Sequence, residues 1–221
     1  MENKKLNPKI IEFFGPSGAG KTTTARRLAQ VLTAEYLEFS SLKEQRYYFW
    51  LAIWRRPGRA IYLIIYTIWE GRSAWSLLRH KLFLLSTHLA MTEKAHMRTK
   101  QNQIVILDGG LGQYALSLYE HHVTDQELSR YVRRHLGAHV YIMLSAAASR
   151  RWQRMKVRGR QPRQKLPINH DTWQEIMEHN TDKLIKVLPR ELSQALILSY
   201  TTDELTTELL VNNIRAKIQA L

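Results

Sequence analysis

The chain contains no cysteine, which excludes disulfide bonds and thiolate chemistry and fits a reducing compartment, so we expect a cytoplasmic protein. Long apolar runs are also missing: none reaches the roughly 18 residues that a membrane-spanning helix needs. The polar, basic first nine residues do not have the pattern of a targeting peptide.

Acidic residues are scarce, with 19 Asp and Glu against 33 Lys and Arg, which gives a formal net charge of +14. This excess favours an anionic partner (a nucleotide, a nucleic acid or an anionic membrane), although a basic solubilising surface is the alternative.

Short apolar runs alternate with helical patterns along most of the chain. Strands are predicted at 9–15, 34–41, 103–110, 138–145 and 195–200, and helices at 20–33, 125–136, 146–157, 171–188 and 203–219. This alternation predicts parallel βαβ units, with helices on both faces of one sheet. The aromatic-rich segment 42–100, broken at Pro57-Gly58, is predicted to be a helical insertion at one sheet edge within a single domain, 1–221.

The stretch GPSGAGKT follows the first predicted strand and opens the first predicted helix. It matches the pattern G-x-x-x-x-G-K-[ST] at Gly15, Gly20, Lys21 and Thr22. Glycines allow the backbone N–H groups of residues 18–22 to converge on phosphate oxygens, and the helix N-terminus favours the same anion. The pattern therefore predicts a nucleoside triphosphate, with Lys21 between its β- and γ-phosphates and the Thr22 hydroxyl on Mg²⁺. The alternative is a glycine-rich turn that only caps the helix.

Asp108 ends the apolar run IVILD, where a phosphate-binding loop needs an acidic partner for its metal ion. The residue types also fit a turn after a strand, because Asp-Gly is common in turns. Given the loop, we favour the metal role. A guanine-specific Asn-Lys-x-Asp motif is absent, since NTDK at 180–183 has the wrong order. Thr201-Thr202-Asp203 is instead predicted to cap the last helix.

GPSGAGKTTTARRLA, EYLEFSSLKEQR, VILDGG and the closing strand, cap and helix resemble the nucleoside monophosphate kinase superfamily, which includes thymidylate, cytidylate and shikimate kinases. The resemblance implies a three-layer P-loop kinase fold, with a five-stranded parallel sheet ordered 2-3-1-4-5, an adenine site near the last strand and a mobile lid. One departure is that Gly109-Gly110 follows Asp108, where thymidylate kinases carry Asp-Arg and deoxynucleoside kinases Glu-Arg-Ser. The acceptor is therefore not identified by the resemblance.

The resemblance also implies residue roles. ATP and Mg²⁺ are the expected substrate and metal, with Thr22 and Asp108 as the metal-binding residues and Lys21 and Asp108 as catalytic residues. Gly109 and Gly110 would contact the acceptor. ATP binding is expected at Gly15, Ser17, Gly18, Ala19, Gly20, Lys21, Thr22, Thr23 and Thr202.

The segment 149–165 holds six Arg and two Lys, and it lies in the predicted lid, 146–168. Arg150, Arg154 and Arg158 are spaced by four residues and share one helix face, where like charges repel unless an anion lies between them. Arginine donors stabilise the charge of a transferring phosphoryl group. These three are therefore predicted catalytic residues; a solvated basic face is the alternative.

Glu38 and Arg46 follow the second predicted strand. In several related kinases a carboxylate at the first position accepts the proton of the attacking hydroxyl, and a residue near the second binds the acceptor's anionic group. The resemblance therefore implies a general base at Glu38 and an acceptor contact at Arg46. An exposed strand residue and a surface charge are equally compatible with the pattern.

Segment 47–69 mixes Tyr, Trp, Ile and Arg, and three interpretations stay open: a pocket for a large, partly apolar acceptor, docking to an anionic membrane, or helix core. The histidines show no metal-ligand spacing. The sequence predicts a kinase acting on an anionic or hydroxyl-bearing small molecule. A nucleic-acid-binding ATPase or polynucleotide-end kinase, and a regulatory ATP-binding module without transfer activity, are the alternatives. Nucleic acid, peripheral membrane contact and a homodimer are open as partners.

Overall fold

The computed structural model describes residues 9–101, 103–157, 170–203 and 205–220. The elements of these residues are, in chain order, β1 (Ile10–Phe14), α1 (Lys21–Leu32), β2 (Glu35–Tyr36), α2 (Leu42–Arg55), α3 (Pro57–Gly71), α4 (Trp75–Thr99), β3 (Val105–Asp108), α5 (Leu111–Leu118), α6 (Asp125–His135), β4 (Val140–Ser145), α7 (Ala148–Val157), α8 (His170–Glu191), β5 (Leu196–Thr201) and α9 (Thr207–Gln219).

The five strands form one parallel sheet in the order β2-β3-β1-β4-β5, so the predicted order 2-3-1-4-5 is confirmed. The central strand β1 is wholly buried, and Ile11 pairs with Ile106 of β3 and Val140 of β4. Alternate residues of β1 face opposite layers. Ile11 and Phe13 pack with α1 and α9, whereas Phe14 packs with the helices of the other layer. The sheet is therefore covered on both faces, as the sequence predicts.

Three local predictions need correction. β2 covers only Glu35–Tyr36 rather than 34–41, and the sequence reading missed α5, a helix of eight residues. α9 starts at Thr207 with Thr206 as its N-cap, so Thr201-Thr202-Asp203 is not the cap. The physical reason is that the polar groups of this turn bond to the segment after β4 instead. Thr202 N–H donates to the Ser145 carbonyl at 2.9 Å, and the Asp203 carboxylate accepts from Ala147 N–H.

The insertion 42–100 consists of α2, α3 and α4, and Pro57 begins α3, a position where proline costs no hydrogen bond. The helix-core interpretation of 47–69 is correct only in part. Ala52, Ala60 and Leu63 are buried, whereas Trp50 and Trp54 are 65% and 84% exposed. Within the described residues, no helix combines the length and apolar character needed to cross a bilayer.

Candidate active site

Two positions of the loop between β1 and α1 require glycine. The backbone has a positive φ at both, and neither has room for a side chain. Gly15 has φ 131°, and a Cβ there would lie 2.2 Å from the carbonyl oxygen of Leu144 in β4. Gly18 has φ 83°, and its Cβ would lie 2.7 Å from the carbonyl oxygen of Arg151 in α7. Residues with larger side chains would therefore open the loop. Ala19 is buried, and Ser17 and Thr23 are exposed.

Lys21 is held inside the loop by the loop's own carbonyl oxygens. Its Nζ donates to the carbonyls of Gly15 at 2.7 Å and Pro16 at 2.9 Å. Loss of hydration lowers the pKa of Lys21 to about 8, an effect that the negative charge of Asp108 opposes and the positive charge of Arg151 reinforces. An anion bound in the loop would supply stronger acceptors than these carbonyls and would raise that pKa again.

Thr22 and Asp108 lie in contact, as the predicted metal site requires. The Thr22 hydroxyl donates to the Asp108 carboxylate, which joins the start of α1 to the end of β3. A hydroxyl and a carboxylate are hard oxygen ligands of the kind that Mg²⁺ takes, usually together with waters and substrate phosphates. No cluster of three or more His, Cys, Asp or Glu capable of holding a metal occurs among the described residues. The pair therefore fits an Mg²⁺ that arrives with a phosphate ligand.

Two of the predicted lid arginines take different positions. Arg154 donates through Nη1 to the Gly18 carbonyl and to the Thr202 hydroxyl, both at 3.2 Å, so it bridges the loop between β1 and α1 and the turn after β5. Arg150 instead contacts Asp203, with Nη1 3.0 Å from its carbonyl oxygen and 3.6 Å from its carboxylate. Arg158 lies outside the described residues. Thr202, predicted to contact ATP, thus lies beside the loop.

Arg151 is a site residue that was not among the three arginines predicted from the sequence. Its side chain is buried, forms an ion pair with Glu178 of α8, and lies close enough to lower the pKa of Lys21. The signal in the sequence was Met155, four residues later, which is buried on the same side of α7. The sequence has no Asp or Glu between residues 146 and 163, but acids of other elements pair with these arginines: Asp203 with Arg150, and Glu178 with Arg151.

Glu38 lies at the carboxyl edge of the sheet, level with Asp108. Tyr36 pairs with Ile106, and Leu37 N–H donates to the Ile106 carbonyl at 3.0 Å, so the chain reaches the end of β3 two residues later. The half-exposed Glu38 carboxylate forms an ion pair with Arg26 of α1. Arg46 is exposed on α2. General-base and acceptor roles for Glu38 and Arg46 stay predictions.

Gly109 and Gly110 form the turn from β3 into α5. Gly109 has φ 101°, and its carbonyl lies 3.1 Å from Nδ1 of His88. Gly110 donates its N–H to the Glu12 carboxylate at 3.0 Å, and a Cβ there would lie 2.8 Å from that carboxylate. Contact of these glycines with an acceptor stays a prediction, since the structure gives the Gly110 amide a different partner.

Glu12 and His88 are polar residues near the site that the sequence did not single out. Burial lowers the pKa of His88 to about 4, so the ring is neutral, and Nδ1 carries the proton because a carbonyl oxygen can only accept. Glu12 accepts from three N–H groups at the start of α5, those of Gly110, Gly112 and Gln113. Gln113 in turn accepts the Gly15 N–H at 3.0 Å. Glu12 therefore holds the start of α5 in place, and Gln113 of α5 holds Gly15, the first residue of the loop between β1 and α1.

Glu12→Gln should change how stability depends on pH. Burial raises the pKa of Glu12 from 4.5 to about 7, despite the three N–H donors, so the folded state binds a proton that the unfolded state has lost between those pH values. The glutamate therefore makes the free energy of unfolding fall as pH rises from about 4.5 to above 7, by about 3 kcal/mol in full. Urea unfolding of both proteins across this range measures the difference.

Buried histidines have the opposite effect and make the free energy of unfolding rise with pH. The informative quantity is therefore the difference in that free energy between wild type and variant at each pH. The matched control is Glu175→Gln, at an exposed glutamate of α8. A Glu12→Gln difference no steeper than that of the control would show that Glu12 is ionised throughout.

No protein-family model and no curated protein matches the chain. Solved structures do. Deoxyadenosine kinase from M. mycoides with the products dCMP and dCDP is 15% identical, with 96% of this chain and 100% of that chain covered and a TM-score of 0.55. The same enzyme with dATP gives 16% identity, 95% and 99% coverage and a TM-score of 0.50. The YorR protein from Bacillus subtilis in complex with phosphorylated GDP gives 14% identity, 95% coverage of both chains and a TM-score of 0.50.

These similarities, together with the sheet order, show the fold: the chain shares the three-layer α/β architecture of these proteins, with a parallel sheet ordered 2-3-1-4-5. The predicted fold class is confirmed. Because identities are 14–16%, substrates do not transfer with the fold.

Proposed function

We propose that this protein is an ATP- and Mg²⁺-dependent phosphotransferase that moves the γ-phosphoryl group of ATP to a small-molecule acceptor. The observation that carries the proposal is the meeting of three groups around the first turn of α1. These are the Lys21 amine inside the loop, the Thr22–Asp108 pair beside it, and the Arg154 guanidinium across it. Together they provide cations and oxygen ligands where the charge of a transferring phosphoryl group develops.

Each protein group has a defined task in this proposal. The loop N–H groups and the N-terminus of α1 bind the β- and γ-phosphates. Lys21 leaves the carbonyls of Gly15 and Pro16 for phosphate oxygens, and Arg154, already tied to the Gly18 carbonyl, adds a second cation from α7. Thr22 and Asp108 would hold Mg²⁺, which supplies charge neutralisation when bound.

The acceptor would bind between the loop and the insertion α2–α4. Its hydroxyl or phosphate oxygen forms a bond to the γ-phosphorus as the bond to the bridging oxygen breaks, and where the acceptor is a hydroxyl its proton goes to Glu38. Arg46, Gly109 and Gly110 are the proposed acceptor contacts. The neutral His88 ring, beside the Gly109 carbonyl, is a further candidate from the structure.

The acceptor class is tested directly by a transfer assay. ATP labelled at the γ-phosphate is incubated with Mg²⁺ and, separately, deoxynucleosides, nucleoside monophosphates, hydroxy acids, sugars and polynucleotide 5′ ends. Labelled product with a small molecule supports the proposal. If label is transferred only to polynucleotide ends, with an affinity that falls steeply as salt rises, the protein is a polynucleotide-end kinase instead. Tight ATP binding without ADP formation for every acceptor would assign the regulatory module.

Arg154→Ala should lower kcat by about a hundredfold or more while changing the KM for ATP little, because the guanidinium acts mainly on the transferring phosphoryl group. Arg150→Ala is the comparison, because the sequence predicts a catalytic role for Arg150 as well, whereas the structure gives its side chain a different partner from that of Arg154. It removes a neighbouring arginine of the same helix that contacts Asp203 rather than the loop, and it should have a much smaller effect. Equal, mild losses in both variants would indicate a general basic surface. Steady-state kinetics with the identified acceptor measure both constants.

A further inference from the structure

The α3–α4 corner carries an exposed apolar stripe that no other described element covers. Ile61, Ile65, Ile68 and Trp69 lie on one face of α3 and are 45–62% exposed. Around the turn, Trp75 and Phe83 of α4 are 74% and 58% exposed. We call these six residues the apolar corner. Folded proteins seldom leave so many large apolar side chains together in water unless the patch meets a partner.

Positive charge borders the apolar corner, and the two helices that carry the corner contribute little negative charge. The Arg72 guanidinium lies over the Trp69 ring, 3.6 Å from its centroid, and Arg79 is exposed one turn after Trp75. Between residues 57 and 92 the sequence has a single acidic residue, Glu70. Its side chain is only 9% exposed and faces His121, 3.5 Å from Nδ1. The corner therefore presents tryptophan, isoleucine and arginine to its surroundings.

The α4 part of the apolar corner projects from the same end of the molecule as the candidate active site, whereas Ile61 lies next to Tyr62, which stacks on His135 at the end of α6. α4 is one continuous helix of 25 residues, and His88 on it lies beside Gly109 at the carboxyl edge of β3. α4 then runs back toward the start of β3, so its earlier residues extend past that edge. Trp75 lies roughly 20 Å from His88 along the helix, at the usual rise per residue. Changes at the corner thus leave the loop and Asp108 untouched.

We propose that the apolar corner docks onto the surface of an anionic phospholipid bilayer. Tryptophan and arginine suit the headgroup region, and the isoleucines reach the acyl boundary. Basic residues near the corner, within a protein of net charge +14, complement anionic lipid. The proposal is independent of which acceptor the kinase uses.

Two other occupants fit the corner less well. A symmetric second copy would bring the same surface against itself, which places Arg72 and Arg79 against their own copies with no exposed acid to pair with. Nucleic acid would pair with the arginines and stack on tryptophan, but Ile61, Ile65 and Ile68 offer nothing to phosphates. Hydrocarbon and anionic headgroups together match both parts of the surface.

The test is sedimentation of the whole protein with vesicles of phosphatidylcholine alone and of phosphatidylcholine mixed with phosphatidylglycerol. We expect binding to the anionic vesicles that weakens with salt, and little binding to the neutral ones. The apolar variant I65S/W69S/W75S should lose more than about tenfold in partition coefficient. The charge variant R72Q/R79Q should lose about fivefold for each arginine on anionic vesicles. If the apolar variant does not fold, the charge variant carries the test.

The matched control is L209S/R215Q, which removes an exposed apolar and an exposed basic residue from α9 and should bind as wild type does. Failure of wild type to bind anionic vesicles would overturn the proposal, as would equal binding by the apolar variant. A wild-type dimer that becomes a monomer in the apolar variant, without vesicle binding, would assign the corner to a second copy.

Discussion

Lys21→Ala should abolish phosphoryl transfer and leave the fold intact. The ammonium group is expected between the phosphates of ATP, where a positive charge on the transferring group contributes several kcal/mol to the transition state, so kcat/KM should fall by about a thousandfold or more. The fold should survive, because the only hydrogen bonds described for Nζ go to the carbonyls of Gly15 and Pro16, which water can satisfy. Transfer assays and circular dichroism measure the two effects.

The control for Lys21→Ala is Lys186→Ala, an exposed lysine of α8 that should have no effect on transfer. A Lys21→Ala protein that keeps more than about a tenth of wild-type activity would contradict the assignment. Wild type should also show a pH signature. Because burial lowers the pKa of Lys21 to about 8, ATP affinity should weaken as pH rises through that value and the amine loses its charge. That inflection should be missing in the variant.

Asp108→Asn should remove metal-dependent turnover while ATP binding without Mg²⁺ stays close to wild type. The amide can still accept the hydrogen bond of the Thr22 hydroxyl, but it lacks the charge that a divalent cation requires. We expect a loss of about a hundredfold or more in kcat at saturating Mg²⁺. Nucleotide binding by calorimetry with and without Mg²⁺, together with turnover over a range of Mg²⁺ concentrations, separates the two effects.

Asp182→Asn, at an exposed aspartate of α8, is the matched control and should show the wild-type response to Mg²⁺. An unchanged Mg²⁺ dependence in Asp108→Asn would leave Asp108 as a turn residue between β3 and α5, and the proposed metal site would have to be abandoned.

The parts of the molecule that the sequence predicts correctly are those with a local physical signal. Consecutive apolar residues mark each core strand, and the alternation with helices predicts a parallel sheet. The glycine spacing predicts the loop, and strand ends place Asp108 beside Thr22, because the carboxyl ends of parallel strands share one edge. Each of these sequence signals lies within a stretch of a few residues.

The residues that sequence reasoning missed depend on contacts between distant elements. Glu12 lies inside an apolar strand, and its only sign of function is the set of three N–H donors near residue 110. In the sequence, Arg151 is one of several basic residues of α7. Its place at the site is visible only in the structure, where it contacts Glu178 and Gly18. The insertion could not be interpreted from sequence for a different reason: its apolar content is compatible with core, and only the packing shows which faces stay exposed.

The strand order of the sheet has a consequence for how the chain folds. β1 is made early, but both of its neighbours, β3 and β4, come much later in the sequence, with the whole insertion in between. Pairings this distant must close large loops before they gain contact energy, which slows folding and prolongs exposure of apolar segments. Gly15 packs directly against Leu144 of β4. The loop between β1 and α1, encoded near the start of the chain, therefore completes its packing only after β4 has been synthesised.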